Sequence, residues 1–509
     1  MNAILRRKLA SRKRHLEHRL DKTDLRGCSE PMLTASNIHY EVADRTRGFC
    51  HGGIGAMHLL ARRVGLIDAI DDGLHLLKVH LPYHESDHVL NLAYNALCDG
   101  TCLQDLELRR QDEVYLDALG ARRIPDPTTA GDFCRRFDAA NVKRLIDIIN
   151  EVRLRVWARQ PPAFFDQARI DMDGVLVGTS GECKEGMDLA YDGTWGYHPL
   201  IVSLANTGEV LSVVNRPGNR PSHEGAAREV DRALQVCWAG GFRRVVLRGD
   251  TDFSQTAHLD RWHADPRVQF IFGLDVTPSR HVLLDDLPYS AWQPLTRPPR
   301  YTVRTQRRLR PVRVKEQIVR QRAFADIRLV SEEVAECPYR PVNCRQTYRL
   351  IAVRKNLTVE CGEQWLFDDY RYFFYLTNDW QTPAAEIVFA ANDRCNQENL
   401  NAQLKGGVRA LQAPVDNLES NWAYMVMVAL AWNLKAWWAL WPQESRGRWA
   451  QRQREEKELV LRMEFKTFVN TFMLLPCQIV RGGRRLIYRL LNWTCWQGLV
   501  FRTLDQLRC

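Results

Sequence analysis

Ile170-Asp171-Met172-Asp173-Gly174 and Val245-Val246-Leu247-Arg248-Gly249-Asp250 are built alike, each a short apolar run that closes on a carboxylate. Aliphatic and β-branched residues in such runs predict strands that keep their neighbours in a core. The acid at the end is then delivered to the margin of a sheet, where it can face a metal. A third carboxylate, Glu398, lies in a polar stretch predicted to be helical, Arg394-Cys395-Asn396-Gln397-Glu398-Asn399-Leu400-Asn401-Ala402-Gln403-Leu404-Lys405. Three such groups from distant parts of one sheet and a covering helix can hold two Mg2+ ions, which bind through few carboxylates and leave positions open for water and phosphate oxygens. That chemistry breaks and joins phosphodiesters. Because residues two apart on a strand share a face, Asp171 and Asp173 both qualify as the first ligand. Asp252, two after Asp250, is a weaker alternate in a turn-like Asp-Thr-Asp that also suits a helix cap.

The helical stretch has the spacing Arg-x3-Glu-x6-Lys. At roughly 100° per residue, Glu398 and Lys405 return to within about 40° of Arg394, so the three share one face. A metal-binding carboxylate between two cations suits a bound DNA backbone, whereas the plain alternative is a solvated face with ordinary ion pairs. On these residues the chain resembles the DDE transposases of bacterial insertion sequences, in the group marked by a Tyr-x2-Arg-x3-Glu-x6-Lys signature. The resemblance runs from about Asp171 to about Leu440. It implies that Asp173, as the second Asp of an Asp-x-Asp pattern, Asp250, in a Leu-Arg-Gly-Asp context, and Glu398 are the catalytic metal ligands. It implies also that Arg394 and Lys405 contact the transposon-end strands. One position departs from the signature: Ala391 stands where the family has Tyr.

The same resemblance implies a ribonuclease-H-like core, Mg2+ as cofactor with Mn2+ able to substitute, and double-stranded DNA as partner at the transposon ends and the target. A homodimer would form the synaptic complex. In relatives the flanking strand leaves through a hairpin with a base flipped onto an aromatic ring; Trp292 is the candidate here, against the ordinary reading of a core tryptophan.

Of 509 residues 45% are apolar, which fits a globular protein of several domains, and the net charge is +10. That charge is concentrated. Residues 1–20 carry seven Lys/Arg against Glu17, and residues 297–322 carry ten against Glu316, leaving the remainder near −5. Dense positive segments are the footprint of a polyanion partner, so Arg307, Arg308, Arg310 and Arg313 are read as DNA contacts. Fourteen cysteines without a Cys-x2-Cys pair give no zinc-ribbon pattern, and with no secretory leader visible the expectation is reduced thiols in a bacterial cytoplasm, associated with the nucleoid during action. The apolar stretch Trp422–Trp441 is interrupted by Asn433 and Lys435 and reads as a buried core helix, with no membrane involved.

Along the chain, residues 1–160 are expected to be a mainly helical DNA-binding region. Within it Pro125-Asp126-Pro127-Thr128-Thr129 followed by Arg135-Arg136 suits either a helix-turn-helix-like unit or an ordinary surface helix. Residues 161–276 read as the first part of the α/β core. Strand-like runs at 169–177, 200–205, 210–215, 244–247 and 268–274, with a helix at 222–237, give the order β-β-β-α-β-α-β. The 148 positions from Asp250 to Glu398 are too many for a structureless loop, and 277–368 is assigned as a β-rich insertion with strand-like runs at 302–314, 318–330 and 347–354. Residues 369–441 return to the core with the Glu398 helix; 442–509, including a helix at 444–461 and a hairpin at 478–491, serve DNA contact or dimerisation.

A literal His-Glu-x-x-His occurs at His84-Glu85-Ser86-Asp87-His88, the pattern that on a helix binds zinc with the Glu as base. No third ligand accompanies it, so a metalloprotease stands only as a rival reading. A catalytically decayed DNA-binding relative, or another nuclease or integrase on the same fold, is the other alternative, because fold alone does not fix chemistry.

Overall fold

A computed structural model gives the fold for residues 3–19, 47–78, 82–181, 183–254, 256–297, 326–360, 370–445, 447–482 and 485–508. The segment holding Arg307, Arg308, Arg310 and Arg313 lies outside the described residues. Helix α1 (Ala3–Arg19) and the short strand β1 (Gly48–Phe49) precede a run of helices: α2 (Ile54–Arg63), α3 (Leu66–Gly73), α4 (Glu85–Leu97), α5 (Asp105–Arg110), α6 (Glu113–Leu119), α7 (Pro127–Cys134) and α8 (Ala139–Trp157). In α8 the buried residues Val142, Leu145, Ile146, Ile149, Val152 and Val156 recur at three- and four-residue intervals, and Asp138 caps its start by accepting from Asn141 N at 2.7 Å. The Pro-rich turn ends in α7, capped by Asp126. Arg135 and Arg136 follow that helix instead of opening one, and Arg135 pairs with Asp132 and Asp416 at 2.8 and 2.9 Å. This turn is a joint inside the helical region.

A mixed nine-stranded sheet follows. Its strands are β2 (Ala168–Gly174), β6 (Leu200–Leu204), β7 (Glu209–Val214), β8 (Val245–Gly249), β9 (Val268–Leu274), β10 (Gln293–Pro294), β11 (Asp326–Tyr339), β12 (Tyr348–Glu360) and β13 (Tyr370–Thr377), in the spatial order β10-β11-β12-β13-β9-β8-β2-β6-β7. The small strands β3 (Val177–Gly178), β4 (Asp188–Leu189) and β5 (Trp195–Tyr197) form a separate three-stranded sheet. Helices α9 (Ala226–Gly240) and α10 (Thr256–His263) carry the chain into β8 and β9, which run parallel to β2. Further elements are α11 (Pro278–Asp285), α12 (Ala384–Asn392), α13 (Cys395–Ala402), α14 (Leu418–Leu440), α15 (Ala450–Arg462), α16 (Phe465–Phe468), β14 (Cys477–Gly482), β15 (Arg485–Leu490) and α17 (Gln497–Arg508).

The central strands are apolar on both faces because both faces are covered. Val246 and Ile271 pack with Val353, Ile387 and Val388 under α12, while Leu247, Phe270 and Phe272 face the main core. The strands of the interruption add to this same sheet: β11 pairs along β12, β12 along β13, and β13 closes antiparallel on β9. The strand-like run at 302–314 falls outside the described residues.

Helix α14 is buried from Ser420 to Leu440, as a helix apolar on all sides must be. It is threaded through the protein, and no helix among the described residues is long and apolar enough to cross a membrane. Its polar residues seal the sheet edge. Asn433 bonds Val210 N and O at 2.9 and 3.0 Å, Trp432 Nε1 donates to Gly208 O at 2.6 Å, and Asn150 of α8 donates to Leu211 O at 3.1 Å. An edge strand presents unpaired backbone groups, and here side chains satisfy those that helices would otherwise bury unpaired. Glu209 at the start of β7 is fully buried and accepts from Arg153 Nε at 3.0 Å, Trp157 Nε1 at 2.9 Å, Trp437 Nε1 at 2.8 Å and Thr207 Oγ1 at 2.6 Å.

Candidate active site at the strand ends

The parallel register of β2 and β8 aligns Asp171 with Arg248, so two residues further along Asp173 and Asp250 come level at the C-terminal ends of adjacent strands. This is where open α/β sheets present their functional groups. The turn after Asp250 lies directly on β9: a Cβ at Gly273 would stand 2.8 Å from Thr251 N, so the close approach requires glycine there.

Asp171 and Asp173 have different parts. Arg248 Nε and Nη2 hold Asp171 Oδ1 and Oδ2 at 2.6 and 2.7 Å, both residues are buried, and Arg248 Nη1 donates onward to Ala390 O at 2.8 Å. The two-pronged pair neutralises Asp171 beneath the surface and ties β2 and β8 to α12. Asp173 lies further out. Its Oδ2 accepts from Asn401 Nδ2 at 2.8 Å, and Arg394 reaches over both carboxylates, with Nη1 at 3.8 Å from Asp173 Oδ2 and Nη2 at 3.5 Å from Asp250 Oδ2. Burial pushes Asp173 up to about 6, opposed by Arg394 and reinforced by Asp250; burial likewise raises Asp250, with Arg394 opposing and Asp252 adding to the rise. Asp252 sits in the turn that Asp250 caps, where Asp250 Oδ1 accepts from Asp252 N at 3.1 Å.

The polar helix differs from the expected single face. Arg394 stands at the junction of α12 and α13, and after Ala402 the helix widens into a π-turn, Gln403–Gly407. The inner face carries Arg394, Gln397 and Asn401. Ser203 Oγ on β6 donates to Gln397 Oε1 at 2.5 Å, Gln397 Nε2 to Asn401 Oδ1 at 3.2 Å, and Asn401 to Asp173, a chain that fixes the Asp173 carboxyl from the neighbouring strand. These three residues escaped the reading of the sequence, which followed charges alone. Asn401, seven after Arg394, is about 20° from it around a helix, so the angular pattern pointed to it. Glu398 is exposed and has no ion-pair partner among the described residues, and among them no three His, Cys, Asp or Glu are grouped as for a metal. The structure therefore brings Asp173, Asp250 and Arg394 together and leaves Glu398 exposed. Lys405, on the π-turn, donates to Leu176 O at 2.9 Å.

A cleft of ≈ 410 Å3 opens beside Asp250, lined among others by Arg394, Cys395, Arg371, Tyr375 and Ala391. Two adjacent carboxylates are hard oxygen donors suited to a divalent cation. Trp292 is buried, with the Arg354 guanidinium 4.2 Å from its ring centre, so that face is already covered by protein.

The His-Glu-x-x-His residues do not converge. His84 caps α4 in a capping box with Asp87, Glu85 is fully buried and accepts from Leu76 N and Leu77 N at 2.9 Å each, and His88 stacks on Phe133 with ring centres 4.2 Å apart. Burial lowers His88 to about 4.

Residues 49–508 match the family described as Transposase DDE domain group 1. No curated protein matches the chain. Among solved structures, the piggyBac transposase synaptic complex with hairpin DNA, determined by cryo-electron microscopy, is similar at 10% identity with a TM-score of 0.39, over 84% of each chain.

Proposed function

The chain belongs to the Transposase DDE domain group 1 family, and from that premise we propose that it binds the terminal inverted repeats of an insertion sequence and moves the element by cutting and rejoining DNA. The observation that carries this reading is the pairing of Asp173 and Asp250 at adjacent parallel strand ends beneath one guanidinium. Three strands joined antiparallel, β7-β6-β2, followed by the parallel β8 and β9, support assignment of a ribonuclease-H-like core. In this assignment Asp173 and Asp250 would hold Mg2+, which would supply Lewis acidity toward a water, a 3′-hydroxyl or a leaving oxygen.

The protein's own groups prepare that site. Arg394 offsets the mutual repulsion of the two carboxylates and opposes the protonation that burial favours. Asn401 orients Asp173. Arg371 and Arg394 on the cleft wall are cations available to phosphate oxygens. Glu398 is assigned as the third carboxylate. It is roughly 60° around the helix from Asn401, so it reaches the pair only if α13 turns when DNA binds; the π-turn beside it marks a place where helical register can shift.

The test uses a duplex bearing the inverted repeats that flank the gene. Asp173→Asn, Asp250→Asn and Glu398→Gln should each abolish end cleavage in Mg2+ while leaving end binding largely intact. Wild-type cleavage by all three variants removes the catalytic reading. Binding of the ends by a wild-type protein that cleaves in neither Mg2+ nor Mn2+ identifies a decayed relative instead.

A further inference from the structure

Helix α1 is an improbable structure on its own. Its seventeen residues include Arg6, Arg7, Lys8, Arg12, Lys13, Arg14 and Arg19 against the single acid Glu17, which pairs with Lys13 at 3.5 Å. Lys8 and Arg12 stack like charges one turn apart, which weakens a helix. Yet α1 has a defined seat. Arg12 Nη1 donates to Leu490 O at 2.5 Å at the end of β15, and Lys13 Nζ lies 5.8 Å from the Trp493 ring centre.

The seat is basic as well. Strand β15 is the edge of the three-stranded sheet β1-β14-β15. Its Tyr488 points inward, donating to Ala118 O at 2.6 Å. Arg485 and Arg489, at odd positions along the same strand, are exposed. Arg6, Arg7, Lys8 and Arg14 of α1 are exposed too. Segments about 470 residues apart in sequence, joined at the Arg12–Leu490 contact, therefore carry six exposed cations between them.

We propose that α1 and β15 form one composite surface for duplex DNA, with Arg12 as the residue that holds the two halves in register. The proposal rests on the reading of the chain as a DNA transposase and specifies where a stretch of backbone lies. The sizes agree. A seventeen-residue helix is about 25 Å long, which spans roughly seven base pairs at ~3.4 Å each. A duplex along it would also relieve the repulsion within α1, so α1 would gain helicity on binding.

The experiment compares two neutralised variants of the full chain, Arg7→Gln/Lys8→Gln/Arg14→Gln and Arg485→Gln/Arg489→Gln, on an eight-base-pair duplex and on a full terminal-repeat duplex, by anisotropy across a salt series. One composite surface requires both variants to lose affinity on the short duplex. The slope of log affinity against log salt should flatten by up to about 0.9 per lost contact, on the order of a hundredfold weakening for the triple variant at 0.15 M salt. Arg12→Met should weaken short-duplex binding more than Arg14→Met, although each removes one charge. If only one variant weakens the short duplex, or Arg12→Met and Arg14→Met behave alike, the composite surface is refuted. Tighter binding of anionic vesicles than of duplex at equal salt also refutes it. A wild-type chain that binds no duplex at all instead overturns the transposase reading on which the proposal stands.

Discussion

Asp171 and Asp173 are two residues apart on one strand, and their replacement by Asn should shift stability in opposite directions. Asp171→Asn leaves the Arg248 guanidinium, 2% exposed, with Ala390 O as its remaining strong acceptor. Removing one partner of a buried ion pair costs about 3–5 kcal/mol, because the other charge stays desolvated. Asp173 is the reverse case. Its pKa is raised from 3.8 to about 6, so the folded state binds its proton more tightly than the unfolded chain. A raised carboxylate subtracts nothing from stability below pH 3.8, and the penalty grows as pH rises to about 6 and is constant above. At ~1.4 kcal/mol per pKa unit the penalty is about 3 kcal/mol at pH 7. Asp173→Asn removes it, and the weakened grip on Arg394 returns part, leaving a net gain of about 1–2 kcal/mol. The assay is guanidinium unfolding at pH 7 in EDTA, repeated at pH 4.5, where the advantage of Asp173→Asn should shrink. Both variants should fail to cleave, one through lost folding and the other through a lost ligand. Should Asp171→Asn unfold at the wild-type midpoint, or Asp173→Asn lose several kcal/mol, the division of roles between the two acids is wrong.

Lys435 is buried in α14 with its ammonium donating to Leu461 O at 2.8 Å, and burial lowers its pKa from 10.5 to about 7. The unfolded chain holds that proton more tightly, so stability should rise between about pH 7 and pH 10, and Lys435→Met should abolish this rise while adding about 3 kcal/mol at pH 7 after the lost hydrogen bond is counted, as thermal unfolding across pH would show. Metal analysis of the purified chain should find no stoichiometric zinc, and His88→Leu should preserve DNA cleavage; one zinc per chain that disappears in this variant contradicts the packing role given to His88. Asn401→Asp replaces the donor to Asp173 Oδ2 with an acceptor and adds a third acid beside Asp173 and Asp250, whereas Asn401→Leu removes the donor alone; both should need more Mn2+ than wild type for half-maximal cleavage, and equal cleavage by both variants and wild type means Asn401 does not position Asp173.

The strand-end acids were legible because the pattern is local. A few apolar residues closing on Asp specify both the strand and the position of its carboxylate, and neighbouring strand ends then need only the right register. What gives each acid its character is not local. Arg248 finds Asp171 across 77 positions and Ser203 reaches Gln397 across 194, so no spacing rule within one segment could have separated the buried ion pair from the outward carboxylate. The sheet shows the same limit. Val, Ile and Tyr in the interruption announced strands, but pairing is a property of two segments, and whether β11 and β12 stood apart or extended the core depended on β13 meeting β9.

The polar helix shows a second limit, of chemistry more than distance. Reading charges alone put Arg394, Glu398 and Lys405 on one face, as an ideal helix would. The chain breaks at the Asp393–Arg394 junction before that stretch and widens into a π-turn after Ala402, so Lys405 leaves the register that an ideal helix would share with Arg394. The carboxylates already at the strand ends raise the cost of bringing a third acid against them without a compensating cation. A neutral amide carries no such cost, and Asn401 takes the inward position while Glu398 faces water. The arrangement follows from the electrostatics of the two strand-end acids. It also makes a definite demand on the proposed chemistry: whatever joins Glu398 to Asp173 and Asp250 must bring positive charge with it, and Arg394, already spanning both acids, is the group that such a charge would have to displace or share them with.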